Sequence, residues 1–196
     1  MNSSKSKKRQ RLPVRWLEET RYAVPIPKDE KQRLAALQRY DILDTAPERN
    51  FDTIVRLASH LCNTPIALMV LIDEGRQWFK AKVGVRLKET PRGLAFCAHT
   101  IMQRKLFIVP DMRRDRRFAK NPFVASGPKF RFYAGAPLIT TDNRALGTLC
   151  VIDKLPHKLS RKQKEDLMGM SRLVMTELEL RRILRDRAKT TSATVA

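Results

Sequence analysis

The chain has 196 residues, 42% of them hydrophobic, and a formal net charge of +20. This length suits one domain with one core, while the absence of a run of about eighteen apolar residues and of an apolar N-terminal signal argues against a membrane span and against secretion. We therefore expect a single cytoplasmic domain, in which the three widely spaced cysteines Cys62, Cys97 and Cys150 are reduced core thiols rather than a disulfide framework.

Residues 1–28 form a basic segment with eight Lys and Arg residues against two Glu residues. The first eleven residues are too poor in apolar side chains to offset the entropy of ordering, so the segment is predicted to be a disordered tail. Most of the excess charge nevertheless lies beyond it. Nonspecific binding of nucleic acid or another anionic surface through the tail stays open, as does a role of the tail in organelle targeting.

Two amphipathic helices are predicted to follow the tail. Apolar residues recur at helical spacing over residues 29–43, which indicates the first helix. The second is expected to be capped by Asp44 or Thr45, with Pro47 in its first turn, and its apolar stripe covers residues 51–62.

Two β-hairpins are predicted to form the centre of the fold. Residues 66–72 are nearly all apolar and indicate a central strand, and the more alternating residues 76–83 are expected to pair with it. Residues 131–153 contain two apolar runs on either side of an Asp-Asn turn, which predicts the second hairpin. Gly135 and Gly147 interrupt these runs and indicate a bulge or a close approach by another element.

The connection between the hairpins contains short elements and one long loop. Residues 85–93 are predicted to be irregular, residues 95–102 a short helix and residues 106–109 a short strand. Residues 111–130, named the excursion below, are rich in Arg and contain two X-Pro turns. Such long loops usually serve as lids or ligand loops, so we expect the excursion to be functional.

A long last helix is predicted over residues 161–188, beginning at a capping box formed by Ser160 and Gln163. Its apolar residues cover more than one face, as expected if one side packs on the sheet and another meets a partner helix. We therefore expect a homodimer through the terminal helices, with residues 189–196 as a flexible C-terminus.

Several motifs in this order resemble those of the GAF domains found in bacterial sensor histidine kinases and diguanylate cyclases. The motifs are Ile42-Leu43-Asp44-Thr45, Arg76-Gln77-Trp78-Phe79-Lys80, Phe96-Cys97-Ala98-His99, Val109-Pro110-Asp111, the segment 132–138 and the segment 146–153. The resemblance implies an α+β fold for residues 29–188. In this fold a central antiparallel sheet of five or six strands has the terminal helices on one face and a ligand-loop excursion on the other.

The resemblance also implies a function: a small-molecule-sensing or protein-interaction module in signal transduction, and not an enzyme. In related proteins an output domain follows the last helix, whereas this chain ends at Ala196. We therefore expect a separate output protein to receive the signal. The resemblance names no cofactor.

Eight residues are predicted to form a ligand pocket beside the excursion. Aromatic side chains would supply its walls and polar ones its contacts: Trp78, Phe79, Phe96, His99, Asp111, Phe118, Arg131 and Tyr133. The arginines of the excursion favour an anionic or phosphate-bearing small molecule.

Two other functions stay open. The charge of +20 is typical of proteins that bind nucleic acid or an anionic surface, although no motif joins basic residues to exposed aromatic ones. The cysteines allow the GAF-fold enzyme that reduces free methionine sulfoxide, but their positions resemble the sensor subgroup. Cys97 and His99 are too few ligands for zinc, and Ala98 separates them where bilin-binding GAF domains have Cys followed directly by His, so neither a metal nor a bilin is predicted.

Overall fold

The computed structural model describes residues 24–194, and the side chains of residues 24–190. Its helices are α1 (Glu30–Arg39), α2 (Arg49–Cys62), α3 (Cys97–Thr100), α4 (Pro122–Ala125) and α5 (Arg161–Thr194), with 3-10 turns at Arg92–Leu94 and Met112–Arg114. Its strands are β1 (Ile66–Ile72), β2 (Arg76–Val83), β3 (Glu89–Pro91), β4 (Phe107–Val109), β5 (Phe132–Ile139) and β6 (Ala145–Asp153). Most of the predicted tail lies outside the described residues.

One antiparallel sheet contains these strands in the order β3-β2-β1-β6-β5-β4. The two predicted hairpins meet at its centre, where β1 pairs with both β2 and β6. Gly147 permits this meeting, because a Cβ atom there would lie 2.0 Å from the carbonyl oxygen of Val70 on β1. The structure thus confirms the α+β fold and the predicted close approach at Gly147.

The sheet separates two apolar cores, which lie on faces that we name the helix face and the loop face. Helices α1, α2 and α5 cover the helix face, while α3, α4 and the excursion cover the loop face. Alternation along the strands assigns each side chain to its face. Buried residues of the helix face include Phe51, Leu71, Trp78, Phe132 and Val174, and those of the loop face include Phe79, Phe96, Phe118 and Tyr133.

The predicted start of the second helix is wrong. Asp44 has a left-handed backbone (φ 60°), and its carboxylate accepts two hydrogen bonds from Arg76 at 2.9 and 2.6 Å. The hydroxyl of Thr45 donates to the carbonyl oxygen of Ile42 at 2.7 Å instead of capping a helix. Helix α2 therefore begins only at Arg49, after a loop held by contacts with β2.

Other boundaries also differ from prediction. The segment 85–93 contains the short edge strand β3, in which Thr90 pairs with Gln77 of β2. Helix α3 is a single turn, since Ala95 is extended and prevents an earlier start. Helix α1 ends at Arg39 and not at the predicted residue 43, because positive φ angles at Asp41 and Asp44 turn the chain.

Helix α5 begins at the predicted capping box and continues past its predicted end. The backbone N–H of Gln163 donates to the Ser160 hydroxyl at 3.2 Å, and the N–H of Ser160 donates to the Gln163 side chain at 2.8 Å. The helix runs to Thr194, since the segment 189–194 contains neither Gly nor Pro. Within the described chain, no helix is both long and apolar enough to cross a membrane.

Candidate functional site

A cavity of about 390 Å³ lies on the loop face, between the sheet and the excursion. Strands β1, β2 and β6 supply its floor and the excursion its roof, and the walls are mainly apolar. Their largest members are Leu68, Phe79, Phe96, Phe123, Phe130 and Ile152. The volume falls at the lower end of the range of about 300–1,000 Å³ that small-molecule pockets occupy.

One buried polar group in this cavity lacks a partner. Gln77 lines the cavity and is only 6% exposed. Its side-chain Nε2 donates to the hydroxyl of Thr90 at 3.3 Å, while its Oε1 has no hydrogen-bond partner within the described chain. A buried amide oxygen without a partner costs about 1–3 kcal/mol. A ligand with an N–H or O–H group would remove this cost.

Two cations stand at the rim of the cavity. Arg86 and Lys154 line it and are both exposed, and neither side chain is paired with a carboxylate in the described part of the protein. They follow the ends of β2 and β6. The site therefore combines apolar walls, one unsatisfied amide and a positively charged rim.

Of the eight predicted pocket residues, Phe79 and Phe96 line the cavity. Phe118 and Tyr133 lie behind the wall, and their rings contact the ring of Phe96 edge-on at centroid distances of 5.3 and 5.7 Å. These two residues position Phe96 and do not reach the cavity.

His99 and Asp111 lie away from the cavity. His99 stacks on Phe107 and contacts the edge of Phe118. Burial and the neighbouring Arg117 lower the pKa of His99 to about 4, so its imidazole is neutral at pH 7. The carboxylate of Asp111 accepts a hydrogen bond from the backbone N–H of Arg113 at 3.1 Å, which caps a 3-10 turn.

Trp78 and Arg131, also predicted as pocket residues, do not line the cavity. Trp78 belongs to the core of the helix face, because alternation on β2 points it away from its neighbours Gln77 and Phe79. The guanidinium of Arg131 donates to the carbonyl oxygens of Val124 and Phe130 at 2.8 and 2.9 Å. Arg131 thus holds the excursion in place. Whether any of the eight residues binds a ligand stays a prediction.

The arginines of the excursion do not line the cavity. Arg113 pairs with Asp111 at 2.7 Å and Arg117 with Asp115 at 2.6 Å. The guanidinium of Arg117 also lies over the ring of Phe107, 4.7 Å from its centroid. The sequence analysis does not predict Gln77, Arg86 or Lys154, which all line the cavity. The alternation along β2 could have indicated Gln77, because it places Gln77 on the same face as Phe79.

Two of the three free cysteines come together in the core. The Sγ atoms of Cys97 and Cys150 lie 3.8 Å apart, and the hydroxyl of Tyr133 donates to Cys97 Sγ at 3.2 Å. Burial raises the pKa of the Cys150 thiol well above its ordinary value. Both thiols lie behind Phe96 and outside the cavity lining, so they form a packed core pair and not an accessible nucleophile.

A buried ammonium connects β2 to the terminal helix. Lys80 follows Phe79 on β2 at a bulge opposite β1, and its side chain is 0% exposed. Its Nζ donates to Thr45 Oγ1 at 2.8 Å and to both Ala46 O and Glu48 Oε1 at 2.6 Å. Burial lowers the pKa of Lys80, and the Glu48 carboxylate opposes that shift.

Glu48 extends this connection to α5. The same Oε1 that accepts from Lys80 also accepts a hydrogen bond from Arg181 Nε on α5 at 3.1 Å. Adjacent residues of β2 therefore contact the cavity on one side and, through Glu48, the terminal helix on the other.

A family model described as GAF domain matches residues 46–178. A cyclic di-GMP phosphodiesterase of Pseudomonas aeruginosa is 40% identical over 155 residues, which cover 79% of this chain and 26% of the relative. The chain therefore spans about a quarter of the length of this curated relative.

Solved structures give the same fold. A domain of a two-component sensor histidine kinase protein from Sinorhizobium meliloti matches with a TM-score of 0.53 and 16% identity, covering 74% of this chain and 99% of that one. A free methionine-R-sulfoxide reductase from Neisseria meningitidis matches with a TM-score of 0.57 and 14% identity, covering 83% and 99%. At such identities the likeness concerns the fold alone.

Proposed function

Because the chain belongs to the GAF domain family, a family of signalling sensors, we propose that it is a small-molecule-sensing module and a regulator rather than an enzyme. The observation that carries this proposal is the cavity on the loop face, with the unpaired Oε1 of Gln77 inside apolar walls. A small ligand can bury apolar surface there and satisfy the amide at the same time.

Strand β2 offers a route from this cavity to the outside of the domain. A ligand that moves Phe79 also displaces its neighbour Lys80, whose ammonium is bonded to Glu48 and thereby linked to Arg181 on α5. Since all of these groups are at least half-buried and tightly packed, a shift in one changes the contacts of the next. We expect a coupling of about 1–3 kcal/mol between cavity and helix.

The cavity favours regulation over catalysis. Within the described residues its lining contains neither a cysteine nor a histidine, and the Cys97–Cys150 pair is buried behind Phe96. The curated relative is named for cyclic di-GMP hydrolysis, but the alignment covers 26% of it. We propose that this chain regulates an output of the signalling class and does not itself perform that hydrolysis.

Native mass spectrometry of the purified protein tests the sensing function. We expect a small molecule to accompany the wild type and to be absent from the Ala95→Phe variant, in which a ring fills part of the cavity. Hydrogen exchange should show protection of both the excursion and α5 in the loaded protein. If loading protects the excursion and leaves α5 unchanged, the cavity binds a ligand but the route through Lys80 is wrong.

Helix α5 also supports a homodimer. Among its described side chains, four large apolar ones are exposed: Leu173 at 58%, Leu180 at 49%, Ile183 at 42% and Leu184 at 57%. Exposed apolar side chains in one helix commonly meet a partner helix. We propose that α1 and α5 form the interface between two copies.

Replacing both Leu180 and Leu184 by Glu should shift the protein to monomer in sedimentation experiments, because the carboxylates would have to be desolvated at the contact. Leu155→Glu, at a residue that is 70% exposed and lies outside α5, is the control and should leave association unchanged. A wild type that is monomeric at tens of micromolar, on the order of ordinary dimer affinities, would refute the dimer.

Attraction to anionic surfaces is a second proposal, supported by the net charge of +20. If the attraction is nonspecific, deleting residues 1–27 should reduce retention on DNA and on anionic vesicles, and added salt should abolish the remainder. Binding that survives the deletion and selects a DNA sequence would instead establish a nucleic-acid reader.

A further inference from the structure

We propose that the cavity on the loop face takes an elongated, mainly apolar monoanion that carries a neutral hydrogen-bonding group at the end remote from its charge. This inference rests on the proposed function, since it names the chemical class of ligand for the same cavity. Three features of the lining support it: a polar inner end, a cationic rim and the apolar walls between them.

The polar end and the cationic rim are separated along the sheet. Gln77 pairs with Ile72 at one end of the β1–β2 hairpin, whereas Arg86 follows the other end, where Val83 pairs with Ala67. Lys154 lies at that same end, just after Ile152, which pairs with Ile66. Because a bulge adds one residue to β2, the span between these ends is the five steps from Ile72 to Ala67 on β1, about 17 Å at about 3.3 Å per residue. A ligand that contacts both ends must be elongated.

The inner end of the cavity, formed by Gln77 and Thr90, suits a neutral ligand group and not a charged one. The Oε1 of Gln77 accepts a hydrogen bond, and the hydroxyl of Thr90, which accepts from Gln77 Nε2, keeps its own proton to donate. Both residues are about 95% buried, being 6% and 5% exposed. A hydroxyl, an amide or the N–H of a neutral aryl amine would be satisfied there. An ionised group would lose its hydration there, because the charged side chains of the described lining, Arg86 and Lys154, lie at the other end of the cavity.

The rim suits an anion. Arg86 and Lys154 are exposed cations without a carboxylate partner in the described residues, so an anionic group between them stays partly hydrated while it gains two favourable contacts. Such exposed contacts contribute little each, but they select the sign of the charge.

The walls argue against nucleotides. Four phenylalanines (Phe79, Phe96, Phe123 and Phe130) line the cavity, together with leucine and isoleucine side chains. Ribose hydroxyls and a second phosphate would be buried against these rings without hydrogen-bond partners, which costs about 1–3 kcal/mol for each group.

Two matched dyes test the proposal with full-length protein. The probe 2-anilinonaphthalene-6-sulfonate has an apolar body, an N–H group and a distant sulfonate, and N-phenyl-2-naphthylamine lacks only the sulfonate. Both fluoresce more strongly in apolar surroundings. We expect the sulfonate to improve affinity about tenfold, which two exposed charge contacts can supply, and we expect ATP not to displace either dye.

Two double variants test whether the cationic rim causes the higher affinity of the sulfonated dye. The double variant Arg86→Gln/Lys154→Gln should remove the advantage of the sulfonate and leave the neutral dye unaffected. Arg114→Gln/Arg116→Gln loses the same charge at exposed positions outside the cavity lining and should change nothing. Gln77→Leu should weaken both dyes about fivefold, the usual effect of one lost hydrogen bond to a neutral group.

The outcomes separate failure of this inference from failure of the proposed function. In one outcome, Ala95→Phe excludes both dyes, while the wild type and the rim double variant bind the two dyes with equal affinity. The cavity then binds ligands, but the anionic class is wrong. If Ala95→Phe affects neither dye while circular dichroism shows it folded, both dyes bind elsewhere. That result overturns the cavity as the site and this inference with it.

Discussion

Strand β2 carries one buried polar side chain on each face of the sheet, and the two differ in their hydrogen bonding. On the helix face the ammonium of Lys80 is fully buried and makes three hydrogen bonds, one of them to a carboxylate. On the loop face, three residues earlier in the same strand, the amide of Gln77 is buried with one end unpaired beside a cavity. One strand therefore carries a completed polar site and an incomplete one.

This difference separates stability from function. A satisfied buried charge offsets its own desolvation and fixes the loop before α2 against β2, so it contributes to the fold. A buried amide whose oxygen lacks a partner beside a cavity is retained at a cost to stability, which is the pattern expected of a binding site. Three substitutions test the contrast, from the largest expected effect to the smallest.

Lys80→Met should give the largest effect. It keeps the length of the side chain but removes the shared donor of Glu48, Ala46 O and Thr45. We expect the free energy of unfolding to fall by about 2 kcal/mol, because hydrogen bonds from a charged donor are lost while Glu48 stays partly exposed and paired with Arg181. Urea denaturation measures it.

Lys154→Met provides the control, because Lys154 is exposed at the cavity rim, and its substitution should change stability by less than about 0.5 kcal/mol. If Lys80→Met were as harmless as this control, the polar site of the helix face would not be a source of stability.

Local chemistry explains what the sequence could predict. The apolar run over residues 66–72, the capping box at Ser160 and the close approach at Gly147 depend on neighbouring residues or on a missing side chain, and all three are confirmed. The cap of α2 was mispredicted because Asp44 instead pairs with Arg76, 32 residues away. Long-range partners of this kind cannot be inferred from local patterns.

The candidate site shows the same contrast between local patterns, which predict structure, and long-range neighbours, which they do not predict. Phe79 and Phe96 were predicted as pocket residues from their bulk, and they line the cavity. Arg86 and Lys154 both line its rim because β1 pairs with β2 on one side and with β6 on the other. The arginines of the excursion are predicted to favour an anionic ligand, yet Arg113 and Arg117 are paired with carboxylates only two positions away.

Acid should lower the stability first through His99 on the loop face and only at lower pH through Glu30 on α1, whose carboxylate pairs with Arg33 at 2.7 Å and with Arg92 at 2.6 Å. The pKa of His99 is about 4 in the folded protein against 6.5 for the ordinary residue. As pH falls from 6.5 towards 4, the unfolded chain takes up a proton that the folded chain does not, so stability declines. Glu30, whose pKa is lowered to about 2 from 4.5, loses its contribution only below pH 4.5.

His99→Phe isolates this contribution, because it keeps an aromatic ring against Phe107 and Phe118 and removes the titrating group. Urea denaturation at pH 7 and at pH 5 should show a smaller loss of stability for the variant than for the wild type. An identical loss in both would mean that another group titrates in this window.

Among the three test substitutions, Gln77→Leu should have the smallest effect on stability and the most informative one. The substitution removes an amide whose Oε1 is unpaired, at the expense of one hydrogen bond of 3.3 Å to Thr90, and it adds apolar surface to an apolar cavity. These changes nearly cancel, so we expect the free energy of unfolding to stay within about 1 kcal/mol of the wild type. Thermal and urea denaturation measure it beside Lys80→Met, on the same strand. A loss comparable to that of Lys80→Met would mean that the amide has a structural role, and the two faces would no longer differ. A stable Gln77→Leu protein that has lost affinity for the dyes would assign the incomplete polar group to ligand binding and the completed one to the fold.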